Sequence, residues 1–238
     1  MNLNIYIDKK YYKSDSIVNG RIAGKFFETL SKNIFNQSYS YWKKLHDLTG
    51  SHEHPLEHGE RNIYSTLAVA VNKISPIHLS EWSFNQTDCE HMDKNRRIDI
   101  WCLYKDGEAG NPINYFIELK KGWYNLNEKT QENFDKRVSE DIKSLVGQIR
   151  TIKKISPQWE SFDDVFLGLT IIYGYYRDGE EYYDEAQIRE NIYKDIDKRN
   201  NMQLITATWT LPEKMIIHGK KSKCRFICIA GIVLSNKR

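Results

Sequence analysis

Residues 164–175, DVFLGLTIIYGY, are an almost unbroken run of apolar and β-forming residues. A strand that is apolar on both faces belongs inside a sheet covered above and below. That run predicts a central strand with helical layers on either side, and the helices are legible as apolar stripes. Over 17–46, Ile22, Phe26, Phe27, Leu30 and Ile34 recur at helical spacing, and Tyr41, Leu45 and Leu48 continue the line. Over 57–74, Ile63, Tyr64, Leu67, Val71 and Ile74 share one face, and Ser75-Pro76 ends the helix, because the residue before proline is pushed out of helical geometry. Over 131–155 the stripe is Phe134, Val138, Ile142, Leu145, Ile149 and Ile152, and a charged helix is expected over 183–199. The segments 79–85, 96–104 and 114–123 have strand composition. The Gly- and Pro-containing stretch 105–114 turns the chain between the last two, so a hairpin or meander is expected. Strands over 203–211 and 224–234 complete an α/β chain whose mixed β-sheet is flanked by helices. Without repeats or a low-complexity linker, its 238 residues read as a single domain.

Composition narrows the function classes without choosing one. A net charge of +3 permits nucleic acid as a partner but does not argue for it, since such binding needs a clustered patch. Cys89, Cys102, Cys224 and Cys228 have no CxxC spacing and sit mostly in apolar surroundings, so reduced, buried thiols are expected. Cys224 and Cys228, read as one strand, would share a face. MNLNIYIDKK carries charges where a signal peptide needs an apolar core, and no apolar run approaches the roughly 20 residues of a membrane helix. A cytoplasmic protein without a membrane partner is expected. GxxxxGK[ST], GxGxxG and GxSxG are all missing, which argues against nucleotide hydrolysis, dinucleotide redox chemistry and an α/β-hydrolase. His52, His54 and His58 cluster in GSHEHPLEHG without the Cys partners usual for structural zinc, and read as a flexible polar loop.

Three charged residues interrupt strands where apolar neighbours would be expected. Asp99 lies in Ile98-Asp99-Ile100-Trp101, and Glu118 and Lys120 lie in Phe116-Ile117-Glu118-Leu119-Lys120. Strand alternation puts Glu118 and Lys120 on one side and Ile117 and Leu119 on the other. If the two strands are neighbours, Asp99 reaches Glu118, and two carboxylates so close favour a cation between them. Carboxylate oxygens with water suit Mg²⁺ or Mn²⁺. A lysine beside such a metal can hold the attacking water and offset charge on a phosphate. Arg96-Arg97, Lys120-Lys121, Trp123 and Tyr124 place positive charge and aromatics nearby, which suits a phosphodiester backbone.

With Asp99 on one strand and Glu118-Leu119-Lys120 on the next, the chain resembles the PD-(D/E)XK nucleases, many of them restriction endonucleases. The resemblance covers roughly 57–175; position 98 is Ile where the name-giving Pro would stand. It implies a restriction-endonuclease-like core over about 57–175, with the N-terminal helix and C-terminal strands as additions. Asp99, Glu118 and Lys120 then take the family's three roles. Many members add a Glu from the helix before the Asp strand; Glu60 fills that place, with Glu57 as the alternative. The implied chemistry is Mg²⁺-dependent hydrolysis of DNA, with Asp99, Glu118 and Glu60 around one or two metal ions and Lys120 positioning water. Lys143 and Gln148 on the following helix could contact phosphate or orient Lys120. Restriction, phage defence and repair are the common settings, and a homodimer is expected from enzymes that cut both strands. The rival reading is a non-catalytic nucleic-acid-binding or interaction protein that kept the fold.

Overall fold

A computed structural model describes residues 3–17, 19–85, 95–108, 110–126, 131–155, 162–176, 184–197, 202–215, 217–219 and 222–234. The strands are β1 (Ile5–Asp8), β2 (His78–Asn85), β3 (Asn95–Tyr104), β4 (Ile113–Asn125), β5 (Asp163–Tyr175), β6 (Met202–Thr210), β7 (Ile217–Gly219), β8 (Ser222–Cys224) and β9 (Phe226–Leu234). The helices are α1 (Gly20–Thr49), α2 (Glu60–Asn72), α3 (Gln131–Ile155) and α4 (Glu185–Asp197). Among the described residues, one seven-stranded sheet has the order β1-β6-β9-β5-β4-β3-β2, and β7 and β8 form a separate ribbon. The apolar run that opened the sequence becomes β5, at the centre. It lies parallel to β4, with α3 as the crossover, and antiparallel to β9. The chain is α/β, with a mixed sheet flanked by helices, and β2, β3 and β4 form the expected meander.

Each face of the sheet has its own core. On one side Phe26, Phe27, Leu30 and Phe35 of α1, with Ile63, Leu67 and Val71 of α2, bury against Ile117, Leu119, Ile171 and Ile229. On the other, Ile142, Leu145 and Ile149 of α3, with Ile188 and Ile192 of α4, bury against Phe116, Ile172 and Ile232. Glycines let the helices come close. A Cβ on Gly231 would stand 2.4 Å from the Phe27 ring, and one on Gly168 2.8 Å from Leu145. The segments expected to be additions are built into the same sheet and cores: β9 pairs with β5, β6 with β9, and α1 supplies much of one core. Among the described residues no helix is long and apolar enough to cross a membrane.

Several boundaries differ from expectation for local reasons. α1 runs on to Thr49 and stops at Gly50, which takes a left-handed conformation (φ 70°) and donates its amide to the His46 carbonyl. α2 begins at Glu60, not near 57, because Pro55–Glu57 forms a 3₁₀ turn and Gly59 caps the helix. The expected polar loop is in fact anchored: His54, Pro55 and Leu56 are buried, and His54 Nδ1 accepts the Leu56 amide at 3.2 Å. Cys224 and Cys228 do not share a face. The strand breaks at Arg225, leaving Cys224 in β8 against the α1/α2 core and Cys228 in β9 against the α3/α4 core. Both are buried, as is Cys102; Cys89 and the Phe134 side chain lie outside the described residues.

Candidate active site

The site forms where the sheet forks. β3 and β4 pair from Tyr104↔Ile113 to Ile100↔Ile117, and there their ladder stops. Beyond it β3 continues alone with β2 down to Asn95, while β4 continues with β5 up to Asn125. Asp99 and Glu118 are the first residues past the last pair, one on each side of the opening. The Leu119 amide points into the gap and donates to Asp99 Oδ2 at 2.7 Å, so a carboxylate replaces the missing backbone partner.

β2 and β3 are kinked at the same level. Their ladder includes Ser80↔Ile100 and Trp82↔Ile98 but skips Glu81 and Asp99, and Glu81 has φ 50°, uncommon for a residue with a side chain. Side-chain alternation fails accordingly: Ile100 and Cys102 face the α1/α2 core, whereas Ile98, two residues away, faces the α3/α4 core. The kink leaves Asp99 within reach of α2, whose Tyr64 hydroxyl donates to Asp99 Oδ1 at 2.7 Å. Tyr64 is half-buried. Burial first, then the Asp99 bond, then the charges of Asp99, Glu60 and Glu118 hold its phenol well above the usual tyrosine range. One hydroxyl thus senses all three carboxylates that the sequence singles out.

Glu118 is nearly buried, at 5% exposure, and Lys120, two residues on, lies on the same side of β4. The Lys120 ammonium stands 3.7 Å from Glu60 Oε1. Glu60 therefore joins the constellation as the partner of Lys120. Among the described residues no group of three or more His, Cys, Asp or Glu side chains is gathered as a metal cage. The alternative, Glu57, stays outside: it sits in the 3₁₀ turn, where burial pushes its carboxyl up. On α3, Lys143 is exposed and Gln148 half-buried, with its Oε1 buried and without a hydrogen-bond partner.

Two contributors escape a sequence reading. Tyr64 looks like one more member of an apolar helical stripe, and only the kink at Asp99 gives its hydroxyl a partner. Lys121, expected beside Lys120 as positive charge for a ligand, points to the opposite face. There its ammonium donates to the Glu57 carbonyl at 2.6 Å and to the His58 carbonyl. Tyr124, expected as an aromatic beside the site, is buried and donates to Asp141 Oδ2 at 2.6 Å. Arg97 is exposed on β3; the Arg96 side chain lies outside the described residues.

The class that fold and geometry define is an α/β protein with an acid-and-lysine site in the fork of a mixed sheet. No family model, no curated protein and no solved structure matches the chain.

Proposed function

We propose that this protein is a Mg²⁺-dependent nuclease that hydrolyses DNA phosphodiester bonds, on a restriction-endonuclease-like core and in a setting such as restriction or phage defence. The observation that carries the reading is the gathering of Asp99, Glu118, Lys120 and Glu60 at one opening between strands. The donors suit a hard cation. Each Asp99 oxygen accepts one hydrogen bond and keeps a lone pair, and Glu118 stands directly across the fork. Mg²⁺ commonly uses only one or two carboxylates, taking water and substrate phosphate for the rest, so a third acidic ligand is not required. Asp99 and Glu118 would hold it; when bound, it polarises the phosphoryl oxygen and offsets developing charge.

The remaining roles follow from the side chains. Tyr64 and the Leu119 amide fix the Asp99 carboxylate in orientation. Lys120 is the cation that can orient the attacking water and meet the phosphate, and Glu60 keeps its ammonium at the fork. The test is incubation of the purified protein with plasmid, single-stranded DNA and RNA in Mg²⁺, Mn²⁺ or EDTA. Cleavage of DNA that needs the metal, and that drops at least a hundredfold or so in Asp99→Ala and in Lys120→Ala, is expected. Undiminished cleavage by those variants would sink the site assignment. DNA binding without cleavage under every condition would favour the non-catalytic reading instead.

A further inference from the structure

We propose that Lys121 is a positioning residue for this site, clamping the turn before α2 so that Glu60 is delivered to Lys120. Its catalytic consequence rests on the nuclease reading; its structural one does not. Lys120 and Lys121 are consecutive in β4 and so leave the strand on opposite faces. Both nonetheless act on the start of α2. Lys121 Nζ donates to the carbonyls of Glu57 and His58, the last residues before the Gly59 cap, while Lys120 Nζ faces the side chain of Glu60, the first helical residue. The two lysines thus bracket the four residues from Glu57 to Glu60.

The clamp is costly to bury, which argues for a specific use. The Lys121 ammonium lies 4.7 Å from the centre of the Trp123 ring and 5.8 Å from that of Tyr173, and its hydrogen bonds go to neutral carbonyls. Burial pulls its pKa down to about 8, against the opposing charge of Glu57. Taking a cation partly out of water is costly unless it satisfies groups that would otherwise go unpaired. Here it satisfies two successive carbonyls at the point where the 3₁₀ turn gives way to α2. A helix whose cap carries no side-chain hydrogen bond gains its entry angle from this lysine.

The experiment uses Lys121→Met, which keeps the length and removes the donor, and Lys121→Arg, which keeps the charge. Amide hydrogen exchange followed by mass spectrometry reads the clamp directly. In Lys121→Met, exchange over 57–63 should accelerate roughly tenfold to a hundredfold, the worth of charge-assisted hydrogen bonds, with β5 and α3 unchanged. Lys121→Arg should recover most of the protection. Cleavage kinetics read the positioning. Lys121→Met should lower kcat about as far as Glu60→Gln while leaving KM in place, and the double variant should lose no more than either single one. Unchanged exchange over 57–63, acceleration spread evenly over β5 and α3, or additive losses with Glu60→Gln would each overturn the proposal. Localised acceleration in a protein that cleaves nothing would uphold the clamp and remove the nuclease reading.

Discussion

Tyr64→Phe is the most direct probe of how the fork holds its carboxylate. The substitution removes one oxygen and leaves the ring, so the packing of α2 on the sheet is retained. What is lost is a 2.7 Å O–H···O⁻ bond between Tyr64 and Asp99. Hydrogen bonds to a charged group contribute about 1.5–3 kcal/mol. Both partners are only half-buried, which places this one near the lower end, at about 1.5 kcal/mol. For a chain of this size each kcal/mol moves the melting temperature by about 2–4 °C, so a drop of about 3–6 °C is expected. Asp99 would keep the Leu119 amide and stay in place, but with only one oxygen held. The assay is chemical denaturation of the wild type, Tyr64→Phe, Asp99→Ala and the double variant, which isolates the coupling between the two side chains. The expected coupling is about 1 kcal/mol or more, and single variants whose effects simply add would refute the account. The pH dependence has a definite sign. Burial and the Asp99 bond raise the folded-state pKa of the phenol, so its contribution is fully present below the ordinary tyrosine value of 10.0 and fades as pH rises beyond it. The stability gap between wild type and Tyr64→Phe should therefore be flat from neutrality to that point and narrow above it.

Other parts of the molecule give independent checks. Burial depresses His54 from 6.5 to about 3, so the stability it carries is present above 6.5 and is lost as pH falls from there toward about 3. His54→Leu should flatten the acid limb of a urea-midpoint profile, by up to about 1.4 kcal/mol per pH unit, and an identical slope in both proteins would contradict this. Burial likewise raises the Cys102, Cys224 and Cys228 thiols, Cys224 to about 12 and Cys228 to about 11. All three should resist iodoacetamide in the folded protein and label only in denaturant, read peptide by peptide in a mass spectrometer. Gly231→Ala would drive a methyl into the Phe27 ring and should cost about 1–3 kcal/mol in a thermal melt; a neutral effect would mean that α1 can lift from β9.

Much of the frame was legible along the chain, because periodicity is a local property. The stripe of α3 and the double-faced run of β5 predict elements at nearly the positions observed. Alternation in β4 correctly separates Glu118 and Lys120 from Ile117 and Leu119. Features without a period stayed hidden. β1 is a four-residue edge strand beside β6, too short to signal itself, and the break at Arg225 that parts Cys224 from Cys228 looks like uninterrupted strand.

The site divides in the same way. Sequence by itself determined which acids and which lysine are out of place in apolar strands, since a charge among β-formers is visible wherever the chain goes. Tertiary structure alone decided what those charges meet. The fork between β3 and β4 arises because each strand keeps a different outer partner, and the kink at Asp99 turns its carboxylate toward α2. That is why Tyr64 becomes a hydrogen-bond donor to the site, why Glu60 meets Lys120, and why Lys121 holds the turn before the helix. Contacts between residues tens of positions apart depend on strand order and helix entry angle, and neither is written in the spacing of side chains.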